Sequence, residues 1–312
     1  MTEEPKRSSA VIMSKRSNVF YLEHAKVFQA DDRIVYLTDS GQDVEQMFNI
    51  PDKNTALLML GKGTSITDAA ARKLAESNVM LAFCGSGGSP LFSAIDMVFM
   101  PPQDEYRPTG YAQNWIMRWM DESQRMDMAR HFLCKRIELA VSTWGKMDMT
   151  IPQSQVEDFL SGIDRCQTTT QLLLAEAAWA KRLYAVLAKR FRLPFAREEG
   201  KRANETVADR VNGFLDHGNY IAYGYAAVVL HTLGIPFSFP VLHGKTRRGA
   251  LVFDVADIIK DALVMPLAFQ FGMDSRKKDS AFRAELIAKA QEMVVMDVLF
   301  DTVKAVCVRA EA

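Results

Sequence analysis

The chain has 312 residues, of which 48% are hydrophobic and 24% are charged. This composition excludes an intrinsically disordered chain, because such sequences carry too little apolar surface to form a core. Lys plus Arg and Asp plus Glu both number 38, so the formal net charge is zero. A uniformly cationic nucleic-acid-binding protein is therefore disfavoured, although local basic patches remain open. At ~150 residues per domain, the length predicts about two domains.

The cysteine pattern and the apolar stretches predict a cytoplasmic protein. There is no CxxC pair among the four cysteines, Cys84, Cys134, Cys166 and Cys307. Scattered thiols of this kind are typical of a reducing compartment rather than of a disulfide framework or a zinc ribbon. The first twenty residues lack the continuous apolar run of a signal peptide. The most apolar long stretch, residues 221–239, is interrupted by His231, Gly234 and Pro236, which indicates a buried helix rather than a membrane span.

Residues 1–100 predict a small β-rich domain, sandwich-like and with one helix. Short runs of β-branched and aromatic residues alternate with turn signals at Asp31-Asp32 and at residues 85–88;. The expected strands are residues 18–22, 33–37, 56–60, 79–83 and 91–100. The helix is expected over residues 67–78, with Thr67 or Ser65 as its N-cap.

Residues 101–110 predict a linker, because three prolines between Pro101 and Pro108 are incompatible with a helix or a central strand;. Everything after it has the 3.6-residue apolar period of helices. The expected helices are residues 111–142, 155–163, 168–191, 205–233, 255–269 and 280–308. The sequence therefore predicts an α+β protein with a larger, all-α C-terminal domain over residues 111–312.

Glu176 is the first anomaly in the helical region. At helical spacing its neighbours are Leu172, Leu173, Ala180 and Leu183, which places its carboxylate in an apolar stripe;. A buried carboxylate must be paired, protonated or bound to a metal, because isolated burial costs several kcal/mol. Taken alone, Glu176 is explained most simply by an internal ion pair, with a metal ligand as the alternative.

His243 and the acids that follow it form a second anomaly. His243 precedes a basic turn, and an apolar run then leads into Asp254 and Asp257, which stand at i and i+3 at a predicted helix start and would share a face;. Both carboxylates could thus converge on one ion. The simpler interpretation is that Asp254 caps the helix and Asp257 favours its positive end, with Asp261 extending a solvated acidic stripe.

Together, Glu176, His243 and the acids make an oxygen-plus-imidazole set suited to Mg²⁺ or Mn²⁺. Such an ion stabilises developing charge on a phosphodiester and activates a hydroxyl or water nucleophile. Basic side chains flank these residues in sequence, which suits a phosphate-backbone substrate. A solvated helix face is the alternative interpretation. The candidates for DNA contact are Arg182, Lys189, Arg190, Lys245, Arg247 and Arg248.

Several motifs, in order along nearly the whole chain, resemble the CRISPR-associated integrase family, the universal spacer-acquisition protein of CRISPR systems. They are residues 172–177 around Glu176, 211–215, 223–225, 242–244 and 251–257. In the N-terminal part, residues 63–67 leading into a helix match the family's layout. Residues 105–109 with Trp115 and Trp119 look most like the type I-F branch.

The resemblance implies a metal-dependent DNA endonuclease in which Glu176, His243 and Asp257 bind the catalytic ion, Mg²⁺ or Mn²⁺. It implies that Asp254 supports or shares that ion. It also implies a homodimer formed through the β-rich domains and bridged by a CRISPR-associated adaptation partner, which in type I-F is fused to the interference helicase-nuclease. The family often has Glu followed by Arg at the second acidic position, where this chain has Asp257, Lys260 and Asp261.

Our sequence-based hypothesis is a Mg²⁺- or Mn²⁺-dependent integrase that acts on double-stranded and branched DNA. In it, the 3′-hydroxyl of a short duplex attacks a phosphodiester of the CRISPR array. One alternative is a non-catalytic DNA-binding scaffold, in which the acids are caps and ion pairs. The other is a metal-dependent phosphohydrolase for small substrates, which would show little salt-sensitive affinity for DNA.

Overall fold

The computed structural model describes residues 16, 18–38, 46–84, 109–200, 206–244 and 249–307. The chain divides into two compact units, Met1–Glu105 and Tyr106–Ala312. The first carries the strands and the second is helical, so the predicted fold class is confirmed. The predicted strand over residues 91–100 and most of the predicted linker lie outside the described residues.

Two sheets and one helix make up the N-terminal unit. Its elements are β1 (Asn18–Leu22), β2 (Ala25–Ala30), β3 (Arg33–Thr38), β4 (Gln46–Ile50), β5 (Thr55–Leu60), β6 (Ser65–Ile66), α1 (Asp68–Glu76) and β7 (Met80–Phe83). One sheet has the order β1-β5-β7 with parallel pairs, and the other has the order β4-β3-β2-β6. Leu22, Val27, Ile34, Leu58 and Leu74 bring both sheets and α1 into one core.

The turn at Asp31-Asp32 joins β2 and β3 as an antiparallel hairpin, with Ala30 opposite Arg33. Asp31 has a φ of 51°, which a short aspartate side chain tolerates in tight turns;. β2 and β4 were not predicted from the sequence. Thr67 is the N-cap of α1 and accepts a hydrogen bond from the Ala70 N–H at 3.3 Å, which confirms that choice over Ser65.

Helices make up the described part of the C-terminal unit. They are α2 (Gly110–Met120), α3 (Glu122–Lys146), α4 (Gln153–Arg165), α5 (Thr169–Phe191), α6 (Val207–Thr232), α7 (Ala250–Ile259), α8 (Met265–Gly272), α9 (Asp279–Glu292) and α10 (Val295–Cys307). Two predicted helices are each broken in two. Asp121 is extended and caps α3 through the Gln124 N–H, and Val294 interrupts α9 and α10 with a φ of 48°.

A buried helical segment runs through the centre of this unit. α7 and α8 are joined by a π-helical turn, Lys260–Val264, whose residues Asp261–Val264 are all buried. The segment packs against α3 and α6. α6 approaches closely because Gly218 faces the turn, where a Cβ would overlap Val264 Cγ1 and lie 3.3 Å from Phe282 Cζ. Of the helices in the described ranges, none combines the length and apolar character of a bilayer span.

Candidate active site

Glu176 lies in the buried stripe of α5, as predicted. The helix starts at its N-cap Thr168, which accepts from the Gln171 N–H, and buries Leu172, Trp179 and Leu183 around the glutamate. The carboxylate is paired, since Glu176 Oε1 lies 2.5 Å from Arg136 Nη1. The ion pair that the sequence allowed at this position is therefore present.

Arg136 is the functional residue that the sequence analysis missed. It projects from α3 among buried apolar neighbours and is itself almost fully buried. Its Nε and Nη2 donate to Asp261 Oδ2 at 2.5 Å and Oδ1 at 3.0 Å in a bidentate fork. The remaining nitrogen, Nη1, faces both Glu176 and Asp257 Oδ2, which lies 3.8 Å away. One guanidinium thus joins three carboxylates from three helical segments.

Asp261 is fixed by the π-helical turn and by two indoles. In the π register the Met265 N–H bonds to the Lys260 carbonyl, so the next residue, Pro266, would face the Asp261 carbonyl without an N–H to offer;. The Trp144 indole N–H supplies that hydrogen bond at 2.8 Å. The Trp179 indole N–H donates to Asp261 Oδ2 at 3.0 Å. Asp261 is completely buried. The interpretation of Asp261 as part of a solvated acidic stripe is therefore wrong.

Asp254 does not cap a helix, because α7 begins at Ala250 rather than at the predicted residue 255. Its carboxylate lies in the helix interior and accepts three backbone hydrogen bonds, from the N–H groups of Val241 and Leu242 on Oδ2 and of His243 on Oδ1. Oδ1 also lies 2.6 Å from His243 Nδ1. Asp254 therefore shapes the segment that carries the histidine and fixes its ring.

Two tryptophans of α2 hold the same segment from its other side. The Trp115 indole N–H donates to the Phe239 carbonyl at 3.2 Å, and the Trp119 indole N–H donates to the Pro240 carbonyl at 2.5 Å. The segment before His243 is thus clamped through its carbonyls by α2 and through its N–H groups by α7.

Asp257 lies between the histidine and the arginine. Its Oδ2 is 3.9 Å from His243 Nε2 and 3.8 Å from Arg136 Nη1. Its Oδ1 lies 2.6 Å from Lys260 Nζ, and the ammonium also lies 4.6 Å from the centre of the Tyr223 ring. The predicted residues Glu176, His243 and Asp257 therefore converge, and Arg136 stands between the two acids.

The charges of this cluster shift the pKa values of its members. Burial alone would lower the pKa of Arg136, but Asp261, Glu176 and Asp257 outweigh it and hold that pKa well above its ordinary value. Burial would likewise lower the pKa of His243, and the hydrogen bond and charge of Asp254 reverse the effect and raise it. Burial would raise the pKa of Asp257, but Lys260 and Arg136 lower it. The surroundings therefore favour the charged forms of Arg136, His243 and Asp257 over what burial alone would give.

Within the ranges that the structure describes, no three His, Cys, Asp or Glu side chains are already gathered as a metal site. The physical reason is that protein cations occupy the acids: Arg136 contacts Glu176 and Asp257, and Lys260 contacts Asp257. Elsewhere in the helical unit, His217, to which the sequence gave no acidic partner, lies 3.3 Å from Asp279.

The candidate DNA-contacting residues divide into two groups. Arg182, Lys189 and Arg190 are exposed on α5, the helix that carries Glu176, and Arg190 also donates to the Asp148 carbonyl at 3.2 Å. The other three, Lys245, Arg247 and Arg248, lie outside the described residues.

Sequence comparisons with known proteins identify one family, and solved structures share the fold. Residues 20–290 match the family model described as CRISPR associated protein Cas1. The chain is 41% identical to a CRISPR-associated endonuclease Cas1 of Pseudomonas aeruginosa (strain UCBPP-PA14) over 321 residues, covering 98% of this chain and 97% of that protein. A TtCas1–DNA complex has a TM-score of 0.57 at 21% identity and covers 93% of this chain and 96% of its own. A casposase bound to integration product has a TM-score of 0.69 at 14% identity and covers 94% and 92%. The resemblance drawn from the sequence motifs is confirmed, and the chain belongs to the CRISPR associated protein Cas1 family.

Proposed function

We propose that this chain is a divalent-metal-dependent DNA endonuclease and integrase of CRISPR adaptation. It inserts short DNA spacers into the CRISPR array by transesterification, in which a spacer 3′-hydroxyl replaces the leaving oxygen of an array phosphodiester. The observation that carries the proposal is the convergence of Glu176, His243 and Asp257 on one buried cluster. It occurs in a chain 41% identical to a protein named as a CRISPR-associated endonuclease.

The donor set fits Mg²⁺ or Mn²⁺ by its chemistry. Two carboxylates and one imidazole provide hard oxygen ligands and a nitrogen that Mn²⁺ accepts readily. Nδ1 of His243 is engaged by Asp254, so the ring presents Nε2 to Asp257. A carboxylate behind a histidine is the usual support for a metal ligand, because it fixes both the tautomer and the ring orientation.

Exposure separates the acids into two kinds. The side chains of Glu176 and Asp257 are 13% and 12% exposed, and that of His243 is 27% exposed. Those of Asp254 and Asp261 are 0% exposed, and both of their oxygens already accept protein hydrogen bonds. We therefore assign the ligand role to Glu176, His243 and Asp257 and a supporting role to Asp254 and Asp261.

The charge balance of the cluster favours a cation. Four carboxylates, of Glu176, Asp254, Asp257 and Asp261, face the two permanent cations Arg136 and Lys260 and one titratable group, His243, so the carboxylates outnumber the cationic groups even when His243 is protonated. Unpaired negative charge in a largely buried site is costly, and a bound cation relieves that cost. When bound, the ion would polarise the scissile phosphate and stabilise the charge of its transition state.

The remaining residues position the substrate and the ligands in this proposal. Basic side chains contact the DNA backbone, the lysines as point charges and the arginines as bidentate hydrogen-bond donors. These residues are Arg182, Lys189, Arg190, Lys245, Arg247 and Arg248. Asp254 holds His243 with Nε2 directed toward the acids. We further propose the type I-F branch, a homodimer formed through the N-terminal units, and an adaptation partner fused to the interference helicase-nuclease.

Cleavage and joining assays test the activity. Purified protein is incubated with branched and linear DNA in Mn²⁺, Mg²⁺ or EDTA, beside Glu176→Ala and His243→Ala and with exposed Asp158→Ala as the matched control. We expect metal-dependent cutting and strand transfer that the first two substitutions abolish and the control retains. Full strand transfer by Glu176→Ala would refute the ligand assignment.

Two other outcomes would identify the alternatives. Salt-sensitive DNA binding without chemistry in either metal, even with the adaptation partner added, would favour the non-catalytic scaffold. Turnover of a chromogenic phosphodiester without salt-sensitive DNA affinity would favour the phosphohydrolase. Light scattering coupled to size-exclusion chromatography tests the homodimer, since a monomeric mass at working concentration would contradict it.

A further inference from the structure

Arg136 has a fixed side and a shared side. On the fixed side, its Nε and Nη2 bind both oxygens of Asp261, a carboxylate with no exposed surface that the Trp179 indole also holds. On the shared side, Nη1 lies 2.5 Å from Glu176 Oε1 and 3.8 Å from Asp257 Oδ2. Asp261 alone would neutralise the guanidinium. The contacts of Nη1 therefore need a separate explanation.

We propose that Arg136, anchored by Asp261, is a positioning residue that acts as an internal counterion for Glu176 and Asp257 and that a divalent cation binds by displacing Nη1. This inference rests on the proposed function, which makes these two acids metal ligands. Arginine suits the task because it stays protonated at all relevant pH values and its planar fork fixes where the third nitrogen points.

The anchor decides how strongly Arg136 competes with a metal ion. While Asp261 is charged, the pair Arg136–Asp261 is neutral overall, so Nη1 attracts Glu176 and Asp257 only locally. If Asp261 loses its charge, the full positive charge of the guanidinium turns toward the two ligands and repels an incoming dication. If both members of the pair are replaced by neutral residues, the competing cation is gone, and the charges of Glu176 and Asp257 are left to attract a dication.

A purely structural role for the pair predicts a different order of affinities. Each loss of the Arg136–Asp261 pairing would then loosen the cluster, and the double substitution would bind metal no better than the single one. The counterion role predicts a reversal, in which the second substitution restores the affinity that the first removed. The order of the variants therefore distinguishes the two explanations.

The experiment is a Mn²⁺ titration of the full chain without DNA, in which electron paramagnetic resonance measures the free ion. Wild type is compared with Asp261→Asn, with the double variant Arg136→Gln/Asp261→Asn, and with exposed Asp158→Asn as the control; circular dichroism checks folding. We expect Asp261→Asn to bind Mn²⁺ about tenfold more weakly than wild type. We expect the double variant to bind at least as tightly as wild type, and a double variant as weak as Asp261→Asn would overturn the inference.

Crystal structures of the wild-type chain with and without Mn²⁺ provide a second test that does not depend on a variant folding. We expect the two fork hydrogen bonds to Asp261 in both structures and the Nη1–Glu176 hydrogen bond only in the metal-free one. A retained Nη1–Glu176 bond beside a bound ion would refute the displacement. Wild type that binds no Mn²⁺ at all would instead refute the metal requirement of the proposed function, and the inference with it.

Discussion

Replacing Asp254 by Asn tests how His243 is held. Asp254 Oδ2 accepts from the Val241 and Leu242 N–H groups, so the amide oxygen of Asn is best placed there. The amide nitrogen then takes the position of Oδ1, 2.6 Å from His243 Nδ1. Because that nitrogen donates, Nδ1 must accept, and the proton of the neutral imidazole moves to Nε2. The nitrogen that we assign to the metal thereby loses its lone pair.

The structure gives the size of the effect. The His243 N–H, which donates to Oδ1 at 3.0 Å, is left facing a donor, and loss of one hydrogen bond to a charged partner costs about 1–3 kcal/mol;. Removing a carboxylate that supports a metal-bound histidine lowers metal affinity or activity by about 10–100-fold. We therefore expect a folded protein with a modest loss of stability and a larger loss of activity.

Three measurements check this prediction. Urea denaturation gives the free energy of unfolding, Mn²⁺ titration gives the metal affinity, and strand transfer gives the activity, each beside exposed Asp158→Asn. The prediction requires Asp254→Asn to lower metal affinity and strand transfer together while the far-ultraviolet circular dichroism stays native. Unchanged metal affinity in a folded Asp254→Asn variant would refute the reasoning that Asp254 sets the tautomer of a liganding His243.

Three further changes probe the packing and the electrostatics of the chain. Gly218→Ala should destabilise the fold by about 1–3 kcal/mol, because the added methyl group overpacks the contact with Val264;. Gly162→Ala lies in an open helical position and should stabilise the fold by about 0.5–1 kcal/mol;. Thermal denaturation of both variants checks the two signs. Trp119→Phe removes one indole donor and should cost about 0.5–1.5 kcal/mol;, read from the urea midpoint, and an unchanged midpoint would contradict it. His217 lowers the pKa of Asp279, so the charged carboxylate stabilises the fold above its ordinary pKa and that stabilisation is lost as the pH falls through the lowered value;. The difference in unfolding free energy between wild type and Asp279→Asn should therefore be larger at pH 5 than at pH 3, and a difference that grows between pH 5 and pH 3 would be inconsistent with this sign.

The sequence was sufficient to find Glu176 because a carboxylate in an apolar stripe is unusual. Arg136 carries the same signal, since at helical spacing it has Phe132, Leu133 and Ala140 beside it on α3. Its partners could not be found in any case, because Asp261 lies 125 residues away and helical periodicity says nothing about which helices meet;.

The capping interpretation of Asp254 was wrong because the start of its helix was misplaced. Nearly all of α7 is buried, so its residues are apolar on every side and the sequence shows little contrast between faces;. Asp254 was therefore placed at a helix end, where capping is the ordinary role of aspartate. The breaks at Asp121 and Val294 were missed because a single residue with non-helical backbone angles leaves the apolar period on both sides intact.

The sequence predicted the turn of the β2–β3 hairpin but not its first strand. The Asp31-Asp32 turn was found because its chemistry is local, whereas β2 was missed since Lys26 and Gln29 interrupt its apolar run;. Lys26 is exposed between the buried Ala25 and Val27, as expected for a strand with one covered face, whereas Gln29 is exposed near the turn, where it donates to the Asp31 carbonyl;. The residues of the turn were thus enough to locate it, whereas β2 is recognised only from its pairing within the sheet.

The four acids of the cluster look equivalent in the sequence, and burial makes them different. The carboxylate oxygens of Asp254 and Asp261 already accept hydrogen bonds from backbone, indole and guanidinium donors. A metal ion could bind these oxygens only if several buried hydrogen bonds were broken. Glu176 and Asp257 instead face one nitrogen of Arg136, whose other two nitrogens bind Asp261, and Asp257 also contacts Lys260. In our proposal, an incoming cation replaces the contacts of Arg136 and Lys260 at these two partly exposed acids and leaves the hydrogen bonds of Asp254 and Asp261 intact. This difference in burial and hydrogen bonding, more than the number of carboxylates, is the reason that we assign the ligand role to Glu176 and Asp257 and a supporting role to Asp254 and Asp261.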